Sequence, residues 1–327
     1  MKRRTAMWGR VLLALCIAAV STCSVFAAEM ARVGTLFPGS AASTAFAEKA
    51  FWTRMTELGW RQGDNLSAVN LHADGDPDRL LKLVGELVAA RVNVMVVAGT
   101  HGAVAAKRAS QTIPIVGVLA DPVGSGLAQS LARPGGNLPG VSVQLSDEIP
   151  GKWLELVREA VPGLTTVAVV VNPDNPTSTK MVAQLSQAAE TARIKYLVLH
   201  ARRVEDYAGA FREASRRAQA VIVTTDGIAI HGRYTIAQLA AQYRVAVLAG
   251  TSQFVEAGVL MAYGPDEEVT WRKMADYADK ILKGANAADL PIQQPTEFSL
   301  SLNLKTAKAL SIKMPESLLL RANEVVR

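Results

Sequence analysis

The sequence predicts an α/β protein made of two Rossmann-like, doubly wound lobes that are joined by three crossings. Short runs rich in β-branched residues alternate with helical patterns, which is typical of parallel βαβ units. Three stretches rich in Gly, Pro, Ser or Asn interrupt this alternation, as expected where a chain passes between lobes. Removal of an N-terminal signal would leave 327 − 28 = 299 residues. That length is enough for two lobes of about 100–150 residues each.

Residues 1–28 have the pattern of a secretory signal. Four basic residues precede an apolar run over 11–20, which is too short to cross about 30 Å of hydrocarbon. No later apolar stretch is long enough to predict a transmembrane helix. Cys16 and Cys23 both lie inside the signal, so cleavage near Ala27 or Ala28 leaves a chain without cysteine. We therefore expect a periplasmic protein that needs neither a disulfide nor a thiol.

The same segment has a second interpretation, as a lipoprotein signal. Val20-Ser21-Thr22-Cys23 resembles a lipoprotein box, in which Cys23 would become the lipidated first residue of the mature protein. Thr22 departs from that pattern, because Gly, Ala or Ser usually stands directly before the cysteine. A membrane-anchored lipoprotein is the alternative to a protein that is free in the periplasm.

Eight short runs are predicted as strands. Several are apolar throughout, which is typical of a sheet covered by helices on both faces. The predicted strands of the first half are 32–37, 67–71, 94–99 and 115–119, and those of the second half are 166–171, 195–199, 220–224 and 245–249.

Helices are predicted between these strands from capping residues and apolar spacing. Asp76-Pro77 indicates a helix start, because Asp can cap the free N–H groups and Pro is tolerated at the first helical position. Leu80, Val84 and Leu87 follow at i, i+4 and i+7, and so form one apolar face. Stripes of similar spacing over 47–58, 207–214 and 236–243 predict further helices that pack against the sheets.

The three interruptions divide the chain into lobes. They lie at 121–149, at 250–252 and at 289–295, and a predicted strand (258–263) and helix (269–283) stand between the last two. The lobe boundaries that we predict are 29–147 plus 254–288 for the N-terminal lobe, and 148–253 plus 289–327 for the C-terminal lobe, after the signal peptide 1–28.

The charge of the mature chain argues against a nucleic-acid partner. The formal net charge is +6, and the signal contributes four basic and no acidic residues, so the mature chain carries 6 − 4 = +2. A nucleic-acid binder needs a concentrated basic face, and the sequence contains no such run. We therefore expect no nucleic acid among its partners.

The sequence lacks the motifs of several enzyme classes. It contains neither a G-x-x-x-x-G-K-[ST] phosphate loop nor a G-x-S-x-G nucleophile elbow. The four histidines are far apart, and only His72 has a carboxylate four residues later, Asp76, in a predicted turn. We expect no metal, no cofactor and no catalytic residue. Paired carboxylates remain open, because any two acids can meet in space.

Polar loops follow the predicted strands in both halves. In open α/β sheets, ligands bind beyond the carboxyl ends of the strands, where helix N-termini offer N–H groups to anions. The candidate ligand-binding residues are Ser40, Thr100, His101, Gly102 and Asp121 in the first half, and Asn172, Asp226 and Thr251 in the second.

Each candidate also fits a purely structural role as a cap or turn former. Taken together, however, polar loops at matching strand ends of two lobes describe a cleft. Thr100 and the N–H groups after it would suit a carboxylate, and Asp226 or Asp121 would suit an ammonium, since a buried cation needs a charged partner. Phe37 and Tyr263 fit either a place beside an apolar ligand or the core.

Several short motifs occur along the whole mature chain in the order that they have in one family. They include Asp74-Gly75-Asp76-Pro77, Ile113-Pro114-Ile115-Val116, Ala132-Arg133-Pro134-Gly135-Gly136-Asn137, Tyr263-Gly264-Pro265 and Asn303-Leu304-Lys305-Thr306. Through them the chain resembles the ABC transporter substrate-binding proteins of the tryptophan/tyrosine-type group. That resemblance implies the type I periplasmic-binding-protein fold and an amino-acid ligand, often an aromatic one. His101 replaces the small residue usual in this family.

The resemblance also implies a mechanism. A monomer would close its two lobes on a small-molecule ligand, an amino acid or related small carboxylate, and the closed form would dock on an inner-membrane ABC permease. The same clamp would serve as a ligand-sensing module for a membrane signalling protein, and the sequence does not separate the two. An exported enzyme on this fold would need a nucleophile or an acid–base pair in the cleft.

Overall fold

The computed structural model describes residues 30–143, 148–175 and 177–327. Within these ranges the chain forms two predominantly parallel sheets, and helices pack on both faces of each. The prediction of two doubly wound α/β lobes joined by three crossings is confirmed. The predicted signal peptide and the possible lipidation site Cys23 lie outside the described residues.

Lobe 1 is built on a six-stranded sheet in which every described pair is parallel. Its strands are β1 (Ala31–Phe37), β2 (Leu66–His72), β3 (Val94–Ala98), β4 (Ile115–Leu119), β5 (Gly140–Ser142) and β11 (Ile292–Gln293). They lie in the order β11-β5-β4-β3-β1-β2. The order reverses beside β1 and β3, so the carboxyl ends of the central strands open onto a crevice at that point.

Lobe 2 is built on a seven-stranded sheet in the order β13-β12-β10-β9-β8-β6-β7. Its strands are β6 (Thr166–Val171), β7 (Lys195–His200), β8 (Ala220–Val223), β9 (Ala246–Ala249), β10 (Met261–Pro265), β12 (Phe298–Asn303) and β13 (Glu324–Val326). Only the pair β10–β12 is antiparallel among the described pairs. Strands β8 and β9 are fully buried and β6 is buried from Val167 onward, which explains the continuous apolar runs in the sequence.

Helices connect and cover the strands. They are α1 (Ala41–Glu57), α2 (Pro77–Ala89), α3 (Thr100–Ala109), α4 (Glu148–Ala160), α5 (Ser178–Ala192), α6 (Asp206–Arg217), α7 (Gly227–His231), α8 (Arg233–Tyr243), α9 (Gln253–Ala257), α10 (Glu267–Leu282), α11 (Leu304–Ala309) and α12 (Glu316–Arg321), with a 3₁₀ turn at Ala287–Asp289. Asp76 caps α2 as predicted, because its side chain accepts hydrogen bonds from the backbone N–H groups of Asp78 and Arg79. None of the described helices combines the length and the apolar character that crossing a membrane requires.

The structure moves two of the predicted lobe boundaries. The boundary predicted at 253/254 falls between β10 and α10, because β10 pairs with β9 in lobe 2 whereas α10 packs on α1 in lobe 1. The boundary predicted at 288/289 falls between β11 and β12, because β11 pairs with β5. Both errors have one cause, because neither loop composition nor the local pattern of a strand reveals which sheet that strand joins.

Candidate functional site

A cleft of about 320 Å³ lies between the two lobes, and its volume falls within the usual range of small-ligand sites, about 300–1,000 Å³. Its walls come from the loops that follow β1, β2, β3 and β4 in lobe 1, and β6, β8, β9 and β10 in lobe 2. The carboxyl ends of both sheets therefore face the same space, as the doubly wound topology requires.

In lobe 1 the start of α3 forms part of the cleft wall. Gly99 precedes it with φ +82°, a left-handed conformation that favours glycine and turns the chain sharply out of β3. Thr100 follows and is buried, and its hydroxyl oxygen accepts a hydrogen bond from the Ala120 N–H at 3.2 Å. Because the first N–H groups of a helix lack intrahelical acceptors, this ten-residue helix presents donors and a positive dipole end to the cleft.

In lobe 2 a carboxylate stands at the start of α7. One oxygen of Asp226 accepts from the Ala229 N–H at 2.8 Å, and the other accepts from the Asn172 amide at 2.9 Å. Burial raises the pKa of Asp226, while these two hydrogen bonds oppose the rise. Asp226 is thus a helix cap that also lines the cleft.

Polar contacts join the lobes across the cleft mouth. The Lys180 ammonium of α5 lies 3.5 Å from the Asp121 carboxylate, which follows β4. His101 Nε2 donates to the Asp174 carbonyl oxygen at 2.8 Å. Each contact needs groups from both lobes, so together they define a closed arrangement of the two lobes.

Two glycines let the lobes approach closely. A Cβ at Gly227 in lobe 2 would lie 2.5 Å from Pro38 Cβ in lobe 1. A Cβ at Gly75 in lobe 1 would lie 2.8 Å from His231 Cδ2 in lobe 2. Real Cβ atoms do not come this near to other atoms, so a side chain at either position would force a shift in the closed arrangement.

Two tryptophans contribute to the cleft wall. Trp153 on α4 is buried, and its indole N–H donates to the Tyr263 carbonyl at 2.7 Å. Trp271 on α10 packs against Phe37 with 5.2 Å between ring centroids. Phe37 itself is in the core, and Tyr263 stacks on Phe298 and is not among the lining residues, so these two aromatic candidates are core residues rather than cleft residues.

The structure gathers most of the predicted site residues and leaves two aside. Those that line the cleft are Thr100, His101, Asp121, Asn172, Asp226 and Thr251. Ser40 caps α1, where its side chain accepts from the Ser43 N–H, and it is not a lining residue. Gly102 lies in the first turn of α3, packed so tightly that a Cβ would meet Val97 at 2.6 Å. Both were expected near strand ends, and both serve the local structure there.

The cleft also contains residues that sequence reasoning did not select. Among them are Trp153, Trp271, Lys180, Arg202 and Glu267. Trp153, Lys180 and Trp271 lie on helices, and their apolar or charged spacing resembles that of ordinary core and surface residues. Burial raises the pKa of Glu267 to about 7. Within the described ranges, no three His, Cys, Asp or Glu side chains are grouped as a metal site would need.

The chain is similar to a known protein family and to a curated relative. A sequence profile of the family described as "ABC transporter substrate binding protein" matches residues 41–326. The chain is 26% identical over 268 residues to a tyrosine-binding protein of Clostridioides difficile. The alignment covers 82% of this chain and 77% of the relative.

Solved structures agree with the two-lobe fold. A conserved domain protein from Vibrio cholerae aligns with a TM-score of 0.85 at 25% identity, over 91% of this chain and 100% of that one. A domain from Streptococcus pneumoniae, solved in complex with L-Trp, aligns with a TM-score of 0.83 at 23% identity, over 90% of this chain and 99% of that one.

Proposed function

The chain belongs to the family of ABC transporter substrate binding proteins, and from this premise we propose that its cleft captures an amino acid or a related small carboxylate for import. The observation that carries this proposal is the 320 Å³ cleft, formed by the strand ends of both lobes. A ligand there touches both lobes only in the closed arrangement, so its binding energy favours closure. The family's members bind substrates, and no catalytic step is assigned to this chain.

The ligand's carboxylate has a natural partner in the start of α3. The hydroxyl of Thr100 has its proton free for a ligand, because the bond to Ala120 uses only the oxygen as acceptor. The helix N–H groups after Thr100 add donors, and the dipole adds a favourable field. The tyrosine-binding relative and the L-Trp complex support an amino acid as the ligand.

Binding is tested by calorimetry and thermal shift against the proteinogenic L-amino acids and their deaminated analogues. We expect Thr100→Ala to weaken binding of the tightest ligand at least about tenfold, because one hydrogen bond to a charged group contributes about 1.5–3 kcal/mol. Thr191→Ala, on an exposed face of α5, is the matched control and keeps wild-type affinity. Failure of every compound to bind would refute the proposal, and unchanged affinity in Thr100→Ala would refute the carboxylate assignment.

Delivery to a membrane permease is the second part of the proposal. We place the mature protein in the periplasm, with the N-terminal segment as its export signal and lipidation at Cys23 as the alternative. N-terminal sequencing of the mature protein distinguishes cleavage near Ala27 from processing at Cys23. Deleting the gene abolishes uptake of the labelled ligand if the protein serves import, and leaves uptake unchanged if it presents ligand to a sensor.

A further inference from the structure

Glu267 occupies a junction in the cleft. It is the first residue of α10 and follows the second crossing directly. Its side chain lines the central cleft and also an adjoining cavity of about 220 Å³. Thr251 and Pro265 line both spaces as well, so the two cavities adjoin at this point.

The carboxylate of Glu267 has one neutral partner. The Gln253 amide donates to its two oxygens at 3.0 and 3.1 Å, and Gln253 is itself buried. No Lys or Arg nitrogen in the described part of the chain lies within ion-pair distance of it. Asp121 and Asp174, by contrast, have Lys180 and Arg202 as partners.

The other cleft carboxylates are already held by helix starts. Asp76 accepts from two backbone N–H groups of α2, and Asp226 accepts from Ala229 and Asn172. Glu267 therefore differs from every other carboxylate that lines the central cleft, since it has neither a cation nor a backbone donor. A carboxylate removed from water without a counter-charge is unfavourable.

The surroundings of Glu267 are mainly acidic. The pKa of Glu267 is raised to about 7, and burial is the largest cause. Glu256 and Asp266 also raise this pKa, while Gln253 and Arg233 lower it. The charged groups that act on it are Glu256 on α9, Asp266 beside it and Arg233 on α8, while Glu268 and Glu324 line the adjoining cavity. The environment thus favours a positive charge at this point of the cleft.

We propose that Glu267 binds an ammonium group of the ligand, so that this cleft takes amino acids and excludes carboxylates that lack the ammonium. The inference rests on the proposed function and narrows it. It also moves the cation-binding role from Asp226 or Asp121, which the sequence suggested, to Glu267. An ammonium needs the ionised carboxylate, so binding near neutral pH releases a proton from Glu267 to the buffer.

The test on the wild-type protein needs no variant. Calorimetry at pH 7 in two buffers of different ionisation enthalpy counts the protons released, and we expect about half a proton per ligand, since the group is about half protonated there. The affinity for the tightest L-amino acid falls about tenfold between about pH 8 and about pH 6. Its deaminated analogue binds at least tenfold more weakly at about pH 8.

Glu267→Gln then assigns these effects to one residue. We expect at least a tenfold loss of affinity, no proton release and no pH dependence over the same range. Glu268→Gln removes the neighbouring exposed carboxylate, which lines only the smaller cavity, and keeps the wild-type affinity and proton release.

The outcomes separate this inference from the proposed function. If an L-amino acid binds but releases no proton, or if Glu267→Gln binds it as wild type does, Glu267 is not the ammonium partner and the proposed function stands. Equal binding of the amino acid and its deaminated analogue also overturns the inference. If no amino acid binds at all, the proposed function fails and the inference fails with it.

Discussion

Replacing Gly227 with alanine should impede lobe closure without disturbing either lobe. Gly227 is the first residue of α7 and does not have a positive φ, so its backbone conformation accepts alanine. The new Cβ would lie 2.5 Å from Pro38 Cβ, which belongs to the opposite lobe. The steric conflict therefore exists only when the lobes are together.

The expected magnitude follows from the cost of overpacking. Forcing an extra methyl group into a tight contact costs about 1–3 kcal/mol. Because ligand binding is coupled to closure, this cost appears in the binding free energy, and it corresponds to an affinity loss of about 5- to 150-fold. If the ligand-free protein is open, its free energy of unfolding stays unchanged, because the new methyl group then meets no atom of the opposite lobe.

The assay combines calorimetry with small-angle scattering. We expect the variant to bind more weakly and to show a smaller ligand-induced decrease in radius of gyration than wild type. Gly209→Ala on α6 is the matched control, because a Cβ at Gly209 meets no atom within 4 Å. Wild-type affinity and compaction in Gly227→Ala would refute the reasoning that this contact limits closure.

Three further predictions concern charge and capping. Lys180→Gln removes the 3.5 Å ion pair with Asp121, but Lys180 is 44% exposed, so we expect at most a fivefold loss of affinity that disappears at high salt in calorimetric titrations. Asp76→Ala removes the α2 cap and lowers the free energy of unfolding by about 1 kcal/mol in urea titrations, whereas Asp76→Asn keeps most of the stabilisation that the cap provides. The raised pKa of Glu267 means that the folded protein, in the closed arrangement, holds this proton more tightly than the unfolded chain does. Stability should therefore fall by about 1–3 kcal/mol as pH rises from about 4.5 to about 7, and Glu267→Gln should remove that fall in urea titrations at each pH.

Much of the fold follows from local pattern in the sequence. All eight predicted strands exist, because runs such as residues 167–171 are apolar throughout and lie between helices. The cap at Asp76 was also predictable, since Asp followed by Pro has a direct physical meaning at a helix start. The pairing of β11 with β5 could not be predicted, because a two-residue strand is recognised only through its partner, which is distant in sequence.

Some residues of the candidate site could be predicted from local sequence pattern, and others could not. Thr100, Asn172 and Asp226 were found because strand-end loops form the cleft in this topology. Glu267 and Trp271 were missed because they belong to a helix whose sequence predicts an ordinary amphipathic element. Their place in the cleft depends on the second crossing, which brings the start of α10 to the junction between the lobes. Sequence spacing carries no information about that placement.

Lobe 1 is assembled from two segments that are far apart in the chain, which has a consequence for folding. Its helix α10 packs on α1, and its edge strand β11 pairs with β5 only after the greater part of lobe 2 has been synthesised. Contacts between residues so far apart in sequence form slowly, since long loops must close first. Lobe 2, in contrast, has five of its seven strands in one continuous stretch from β6 to β10. A growing chain can therefore order most of lobe 2 early, while lobe 1 cannot complete its core until residues 267–293 are available.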